Sequence, residues 1–326
     1  MGIIKAKTNG PSGLVSVIIT CYNQARFLGQ AIDSVLAQSY RPVQIIVVDD
    51  GSSDDTPHLI SNYPGVHYIR QENLGVAAAR NAGLRQSKGE YLVFLDGDDR
   101  LLPDALMIGV NALKAHPSCA FVYGHCNVIA ADGTPLPSAR QPPVESDHYP
   151  LLLQDNFIWM PAMVMYRRAT FQSLEGFSES ADHSCDYEMY LRITRNYPVH
   201  CHDKVVAEWR RHGHNTSYDA ATMLRSTMFS FRQQWKYVKG NGLYEDAYRK
   251  GLEKWLSYYG DPLTKDVWQH FLQMARESKY ALKGVLVLIR HCPRRFVAAS
   301  FRKVCRHLFT PQGPEGFSLH RTNDGR

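Results

Sequence analysis

Short runs of β-branched and apolar residues alternate with segments of helical periodicity through the first 120 residues of this chain. In one helical segment Phe27, Ala31 and Val35 recur every four residues, the spacing of a buried helix face. The apolar runs are short and rich in Val and Ile, as strands buried on both sides are. This alternation predicts an α/β fold, with a Rossmann-like, mostly parallel sheet and helices on both faces. The predicted strands are Leu14–Thr20, Val43–Val48, Val66–Arg70, Tyr91–Leu95 and Ala120–Tyr123, and the helices between them include Ala25–Gln38, Val76–Leu84 and Asp104–Ala115.

The second half of the chain has a different pattern. Residues 163–166 form another predicted strand, and residues 132–148, rich in Pro, Ser and Asp, are a predicted surface loop. From about Asp219 onward the β-branched runs stop, and aromatic and charged residues recur at helical spacing. We therefore predict an α/β domain over residues 1–218 and a helical C-terminal region over residues 219–326.

The composition excludes several classes of protein. Of the 326 residues 44% are apolar and 21% charged, which is enough apolar material to bury a core. The net charge of +6 is too small to indicate nucleic-acid binding by itself. No apolar run approaches the roughly 18 residues of a membrane-spanning helix, and residues 1–11 lack the apolar core of a secretory signal. Seven cysteines without a C-x-x-C pair predict reduced thiols in a cytoplasmic protein.

Acidic residues follow two of the predicted strands directly. Asp49-Asp50-Gly51-Ser52 follows one, and Asp96-Gly97-Asp98-Asp99 follows another. In open parallel sheets, ligands bind in the crevice beyond the carboxyl ends of the strands. The two carboxylates of Asp96-Gly97-Asp98 suit a hard cation such as Mg²⁺ or Mn²⁺, which would bridge the phosphates of a nucleotide. The alternative is that both segments are ordinary solvated turns, since turns are rich in Asp and Gly.

Two further segments carry side chains suited to a nucleotide. In Thr20-Cys21-Tyr22-Asn23, Tyr22 is suited to stacking on a base and Thr20 to hydrogen bonding, unless Asn23 simply caps the next helix. Farther along, Gly75 lets the backbone approach a ligand at a helix start. Arg80 would supply positive charge near a diphosphate, although the neighbouring small residues also suit plain helix–sheet packing.

The order of these motifs resembles that of the family 2 glycosyltransferases, which use nucleotide sugars and have the GT-A fold. The resemblance covers roughly residues 14–217. It rests on four segments that occur in this order at close spacing, namely VSVIITCYN, VVDDGSSDDT, QENLGVAAARNAG and YLVFLDGDD.

The resemblance implies roles for the residues at the strand ends. It assigns the nucleoside, usually uridine, to the segment Thr20–Tyr22 together with Asp50. It puts Asp96 near the ribose and the diphosphate and makes Asp98 a ligand of Mn²⁺ or Mg²⁺. The stretch Trp209-Arg210-Arg211-His212 matches a later family motif and brings His212 to the metal or the diphosphate. We thus expect Asp98 and His212 at the metal, and at the nucleotide sugar Thr20, Cys21, Tyr22, Asn23, Asp50, Gly75, Arg80, Asp96 and Gly97.

The resemblance also implies that Asp186 is the catalytic base. Family members usually carry a Glu-Asp pair there, whereas Cys185 replaces the Glu in this chain. An inverting transfer needs one carboxylate to take the proton of the acceptor hydroxyl, and Asp186 suits that task. The alternative is that Asp186 caps the helix that follows it.

The C-terminal tail is basic and amphipathic. Lys279–Leu308 contains eight Lys or Arg residues, no Asp or Glu, and interleaved apolar residues that include Leu286, Phe296 and Val297. This pattern predicts peripheral association with an anionic membrane, here the inner face of the plasma membrane, with packing on the α/β domain as the alternative. The basic residues near its end are Arg290, Arg294, Arg295, Arg302, Lys303 and Arg306.

Together these features predict a metal-dependent, inverting glycosyltransferase. It would move a sugar from a nucleoside diphosphate, most simply UDP, to a hydroxyl of a glycan or lipid-linked acceptor in bacterial surface-polysaccharide assembly. We expect no nucleic-acid partner, because no recognised nucleic-acid-binding module accompanies the basic residues. The alternatives are a nucleotidyltransferase and a non-catalytic module that binds nucleotide sugars.

Overall fold

The computed structural model describes residues 11–138, 144, 147–213, 215–272 and 278–300. The chain divides into two compact units, residues 1–262 and residues 263–326. Three basic residues of the predicted tail, Arg302, Lys303 and Arg306, lie outside the described residues, as does part of the predicted loop 132–148. The division at residues 218 and 219 stays a prediction.

Nine strands form one sheet within the described residues, and their order is β3-β2-β1-β4-β8-β6-β9-β5, with β7 paired to β6. β1 pairs in parallel with β2 and β4, and β2 pairs in parallel with β3. β8 runs antiparallel to both of its neighbours, and β6 and β9 are parallel again. The strands are β1 Val15–Cys21, β2 Val43–Asp49, β3 His67–Arg70, β4 Tyr91–Asp96, β5 Arg100–Leu101, β6 Phe121–Ala130, β7 Pro135–Leu136, β8 Val164–Arg167 and β9 His200–Arg211.

Helices separate these strands and fill the C-terminal region. α3 lies against β1 at Gly83, where an added Cβ would stand 2.3 Å from Cγ2 of Ile18, so helix and sheet approach closely. Their bounds are α1 Ala25–Leu36, α2 Thr56–Ile60, α3 Val76–Gln86, α4 Ala105–Ala115, α5 His148–Gln154, α6 Arg168–Gln172, α7 Cys185–Thr194, α8 Ala220–Arg232, α9 Trp235–Val238, α10 Gly242–Trp255, α11 Asp261–Leu272 and α12 Ser278–His291.

The core lies where the apolar runs predicted it. Every residue of β1 is buried, because strands and helices cover the central strands on all sides. The inner stripe of α1, which includes Phe27, Ala31 and Val35, is buried as its periodicity predicts. The predicted α/β class, with a mostly parallel sheet and a helical C-terminal region, is confirmed.

Several elements differ in length from the prediction. α1 ends at Leu36 instead of Gln38, and the Arg41 guanidinium donates to the carbonyls of Leu36 and Gln38 at this end. β6 continues to Ala130, beyond its predicted end at Tyr123, and its partner β9 spans His200–Arg211. β6 and β9 pair along most of the length of β6, and this pairing supplies backbone hydrogen bonds to both strands.

None of the helices in the described ranges combines the length and hydropathy needed to span a bilayer.

Candidate active site

The ends of β1, β2 and β4 meet at one edge of the sheet. In the parallel register Thr20 lies beside Asp96, and Cys21 lies beside Asp49. The structure therefore brings both acidic segments to the same edge, as the strand pattern predicted. We call the side chains of Thr20, Asp50, Asp96 and Asp98 the strand-end cluster.

The Asp50 carboxylate organises the loop before α3. It accepts hydrogen bonds from Gln71 Nε2 at 2.7 Å, from the Leu74 amide at 3.0 Å and from the Gly75 amide at 2.9 Å. Gly75 has a φ of 92° and is the residue that precedes α3. Three donors on one carboxylate fix its position, so its remaining lone pairs point in a defined direction.

Asp49 is fully buried and stabilises the turn that follows β2. Its carboxylate accepts hydrogen bonds from the Ser52 amide at 2.8 Å and from the Tyr68 hydroxyl at 2.7 Å. Gly51, between these residues, has a φ of 82°, and an added Cβ there would stand 2.9 Å from the Asn73 amide nitrogen. Only glycine fits this turn without strain.

The segment after β1 leaves one aromatic ring open to solvent. Tyr22 is 48% exposed, which suits stacking on a planar ligand. Cys21 is buried, and its thiol donates to the Val48 carbonyl, so this side chain faces the sheet. Thr20 Oγ1 lies 3.4 Å from Asp96 Oδ1.

Asn23 is not the cap of α1. Its side-chain oxygen accepts from the Ser53 amide at 2.8 Å, and its backbone has a φ of 53°. The Ala25 amide at the start of α1 instead donates to Asp54. Asn23 therefore ties the end of β1 to the turn after β2, and the capping alternative for this residue is wrong.

Asp98 and His212 converge although they are far apart in the sequence. His212 Nε2 lies 2.9 Å from Asp98 Oδ2, and Asn215 Nδ2 lies 3.5 Å from the same oxygen. The His212 ring stacks on Phe27, with 4.8 Å between ring centroids, and this contact orients the imidazole. Burial, and secondarily the charge of Asp96, raise the pKa of the Asp98 carboxyl.

An oxygen of Asp98 and a ring nitrogen of His212 are both atom types that divalent cations such as Mn²⁺ take as ligands. An ion with ligand distances of about 2.1 Å in octahedral geometry holds adjacent ligand atoms about 3 Å apart. Asp98 Oδ2 and His212 Nε2 lie 2.9 Å apart, which is a hydrogen-bond distance and also the spacing of adjacent ligand atoms around such an ion. No group of three or more His, Cys, Asp or Glu side chains is arranged to hold a metal in the described residues. Mg²⁺-type ions commonly take one or two protein ligands and complete their shell with phosphates and water.

Arg80 joins the strand ends to the start of α7. Its Nη2 lies 2.9 Å from Asp96 Oδ1, and its Nη1 donates to the Cys185 sulfur at 3.1 Å. Arg80 is only 4% exposed, so its charge is directed at Asp96. Gly97, next to Asp96, donates to the Thr20 carbonyl, and an added Cβ would stand 2.7 Å from Gln24 Oε1.

Asp186 lies in the first turn of α7. The residue that precedes this helix is Ser184, so Asp186 is inside the helix and is not its cap. One carboxylate oxygen accepts from the Tyr187 amide at 2.8 Å. Burial raises the pKa of Asp186, and the Arg80 guanidinium opposes part of that rise. A carboxylate with a raised pKa binds a proton more readily than an ordinary aspartate does.

One residue to which the sequence analysis gave no role of its own, Arg210, holds this edge of the sheet together. Arg210 is fully buried, and its amide donates to Asp99 at 2.8 Å. Its guanidinium donates to the Asp98 carbonyl at 2.8 Å and to Gln30 at 2.7 Å. Arg210 belongs to the stretch that contains His212, but only the fold reveals that it fastens β9 to the residues after β4.

Comparison with known sequences identifies relatives over much of the chain. Residues 16–174 match the family model described as glycosyl transferase family 2. The chain is 31% identical over 255 residues to chondroitin synthase of Escherichia coli, which covers 77% of this chain and 34% of that protein. It is also 31% identical over 229 residues to an uncharacterized glycosyltransferase of Rickettsia prowazekii, which covers 67% of this chain and 70% of that protein. The chain spans about a third of the length of the Escherichia coli protein.

Solved structures share the fold at low sequence identity. TarS of S. aureus in complex with UDP-GlcNAc aligns with a TM-score of 0.64 at 18% identity, over 87% of this chain and 83% of that chain. The mannosyltransferase PcManGT from Pyrobaculum calidifontis, in complex with GDP-Man and Mn²⁺, aligns with a TM-score of 0.54 at 18% identity, over 91% and 81% of the two chains. These likenesses confirm the GT-A fold. Together with the family model and the Rickettsia prowazekii relative, they lead to one conclusion: the chain belongs to glycosyl transferase family 2.

Proposed function

We propose that this chain transfers a sugar from a nucleoside-diphosphate sugar to the hydroxyl of an acceptor, with inversion at the anomeric carbon. The observation that carries the proposal is the chain of contacts at the strand edge. Asp98 pairs with His212, while Asp96 lies against Arg80, which in turn contacts the residue before Asp186. Arg80 thus links Asp96, two residues before Asp98, to the start of the helix that carries Asp186.

The proposed donor is a UDP-sugar. In support, TarS, which shares the fold, has been solved with UDP and with UDP-GlcNAc. Asp50 is held rigidly and offers lone pairs to a nucleoside N–H, and the exposed Tyr22 ring is available for stacking. At Gly75 the open backbone allows close approach of a phosphate to the start of α3.

The proposed metal is Mn²⁺ or Mg²⁺, held by Asp98 and His212. Their 2.9 Å spacing supports this assignment, as does the Mn²⁺ in the PcManGT complex. When bound, such an ion neutralises the charge that develops on the departing diphosphate. Phe27 and Asn215 keep the two ligands in position, through the ring stack and the hydrogen bonds described above.

Asp186 is the proposed base. The acceptor hydroxyl oxygen forms a bond to the anomeric carbon as the bond to the diphosphate breaks, and the diphosphate leaves with that electron pair. Asp186 takes the hydroxyl proton. Attack from the face opposite the diphosphate inverts the anomeric configuration, and one carboxylate is then sufficient. The raised pKa of Asp186, caused by burial, suits a proton acceptor.

The proposed acceptor is a glycan or a lipid-linked sugar, in bacterial surface-polysaccharide assembly. The match to chondroitin synthase, whose name describes a polysaccharide product, supports this setting. In α12 the apolar side chains of Leu282, Leu286 and Ile289 are 54–60% exposed and recur at helical spacing. This exposed face supports peripheral binding to an anionic membrane surface at the cytoplasmic side.

The membrane proposal has a direct test. The triple substitution Leu282→Ser, Leu286→Ser and Ile289→Ser should abolish co-sedimentation of the full chain with phosphatidylglycerol vesicles in low salt. Phosphatidylcholine vesicles serve as the control, because they lack the negative charge that the basic residues require. Equal binding of the wild type and the triple variant to anionic vesicles would refute it.

Nucleotide release tests the function itself. We expect the purified chain to release UDP from at least one member of a panel of UDP-sugars in the presence of Mn²⁺, and to stop when EDTA removes the metal. A nucleotidyltransferase would instead form pyrophosphate from a nucleoside triphosphate and a sugar phosphate. A binding module would retain UDP without releasing any product, and that result would contradict the proposed function.

A further inference from the structure

A π turn, Leu256–Gly260, joins α10 to α11 and places three aromatic rings together. The rings belong to Trp255, Tyr258 and Tyr259, and we call them the aromatic cluster. Tyr259 stacks on Trp255, with the ring planes 7° apart and the centroids 5.8 Å apart. Tyr258 meets Tyr259 edge to face at 4.8 Å. π turns inside helical runs frequently mark functional sites.

The aromatic cluster is fixed to the residue that follows Asp186. Trp255 donates its indole N–H to the Tyr187 hydroxyl at 3.3 Å, and that hydroxyl donates to the Leu152 carbonyl at 2.7 Å. The rings of Trp255 and Tyr187 are also in contact, with centroids 5.5 Å apart. The cluster is therefore hydrogen-bonded to the neighbour in sequence of the candidate base.

Close packing of α10 against α5 keeps this network rigid. At Gly251 an added Cβ would stand 1.8 Å from the Leu153 carbonyl oxygen, so only glycine permits the approach. Trp255 follows one turn later and is 8% exposed. Its position is thus set by backbone contact as well as by hydrogen bonds.

The rings of the aromatic cluster differ in their exposure to solvent. Burial raises the pKa of the Tyr259 hydroxyl, and the charges of Tyr258 and of Asp186 raise it further. Tyr258 is 62% exposed, although its neighbours in the cluster are more buried. The cluster thus combines an aromatic face open to solvent with a hydrogen bond to the residue that follows the candidate base.

We propose that the aromatic cluster is the acceptor subsite, where a pyranose ring of a saccharide acceptor stacks on Tyr258 and Tyr259 donates a hydrogen bond to a sugar oxygen. The inference rests on the proposed function, because it gives Asp186 a hydroxyl to deprotonate. The cluster lies beyond residues 16–174, the part that matches the family model.

A saccharide suits this surface better than a peptide or a lipid does. A pyranose has an apolar face of C–H groups and a rim of hydroxyls, and the cluster pairs an open ring with two phenol hydroxyls. The three rings carry no ionised group, so nothing in the cluster recognises a charged peptide. Stacking positions the sugar as a whole, which is what transfer to one of its hydroxyls requires.

Direct binding of small glycosides tests the inference without catalysis. The probes are the methyl β-glycosides of glucose, N-acetylglucosamine and glucuronic acid, mixed with the full chain in the presence of UDP and Mn²⁺. Saturation-transfer NMR measures the dissociation constant and reports which ring protons touch the protein. We expect at least one glycoside to bind the wild type. Tyr258→Ala should raise its dissociation constant about fivefold, and Tyr258→Phe should stay within twofold because it keeps the ring.

Trp235→Ala is the matched control, since Trp235 is a 45% exposed aromatic residue on α9 in the same helical region. It should leave glycoside binding within twofold of the wild type. Failure of every glycoside to bind a chain that binds UDP would overturn the inference, and so would equal effects of Tyr258→Ala and Trp235→Ala. Glycoside binding that depends on Tyr258 in a chain that releases no UDP from any UDP-sugar would support the saccharide site and contradict the proposed function.

Discussion

Backbone amides of the loop before α3 hold the Asp50 carboxylate, whereas side chains from distant segments hold the start of α7. Asp50 receives two of its three hydrogen bonds from backbone amides. Cys185 and Tyr187, on either side of Asp186, are instead fixed by Arg80 and Trp255. The first arrangement tolerates side-chain changes around it, because backbone donors remain. The start of α7 depends on each of its buried side-chain partners, so we expect it to be more sensitive to substitution than the position of Asp50.

The largest effect is expected at Asp186. Asp186→Asn removes the proton acceptor and should lower kcat for sugar transfer about 10³-fold, the usual contribution of a general base. UDP affinity, measured by calorimetry in Mn²⁺, should stay within twofold, because the strand-end cluster is untouched. Glu188→Gln, one position past Tyr187 on α7, is the matched control, since it loses only the ion pair with Arg192. Normal turnover by Asp186→Asn would show that another residue is the base.

Substitution of Asp98 in the strand-end cluster should instead weaken nucleotide binding. Asp98→Ala removes one of two proposed metal ligands, so the dissociation constant of UDP in Mn²⁺ should rise about 100-fold. The affinity for UDP in EDTA should not change. Asp104→Ala, which removes an exposed carboxylate bonded to Ser39, provides the comparison. If Asp98→Ala binds UDP and Mn²⁺ as the wild type does, the metal assignment is wrong.

Arg80 connects the two regions, and its loss should lower stability. Arg80→Met leaves Asp96 without its cation. Because about 30% of the Asp96 side chain is exposed, we expect a loss of about 2 kcal/mol in the free energy of unfolding, less than for a fully buried pair. Urea denaturation measures this loss, and adding Asp96→Asn should recover part of it. Arg85→Met, an exposed position on the same helix, should be neutral. A comparable loss in both variants would mean that the buried pair is not the cause.

The pH dependence of turnover should report Asp186. Only the ionised carboxylate accepts a proton, and burial raises its pKa, so kcat should fall as the pH is lowered. The decline should be about tenfold per pH unit below that pKa, and it should begin at higher pH than for an ordinary aspartate. The residual activity of Asp186→Asn should lack this acid limb. A kcat that is constant down to pH 4 would contradict the assignment.

The contrast between contacts local in the chain and contacts between distant residues explains which features could be predicted from the sequence. The strands and the two acidic segments were predictable, because an apolar run and the residues after it are neighbours in the chain. The Arg80–Cys185 contact joins residues 105 positions apart, and the Arg210–Asp99 contact joins residues 111 apart. No local pattern encodes such pairs, and both depend on burial. Arg80 was accordingly expected to face a diphosphate, whereas its nearest carboxylate is Asp96; whether it also reaches a diphosphate stays a prediction.

Asp186 is an intermediate case, because the sequence suggested its role but not its surroundings. Its residue type and the helix after it allowed two interpretations, a cap and a base, and resemblance favoured the second. The structure shows it inside the first turn of α7, and its neighbours Cys185 and Tyr187 have partners, Arg80 and Trp255, that no spacing rule connects to them. Trp255, 68 positions from Tyr187, could be linked to it only through the fold.

The anomeric configuration of the first product is a direct test of the proposed inverting mechanism. With a UDP-sugar of α configuration, ¹H NMR recorded in the first minutes of turnover should show a β product, because a single base and a departing diphosphate act on opposite faces of the sugar. Slow transfer to water is sufficient for this measurement, provided that the spectrum precedes mutarotation. An α product at the earliest time points would contradict the account, since it would require a second displacement that one carboxylate base does not provide.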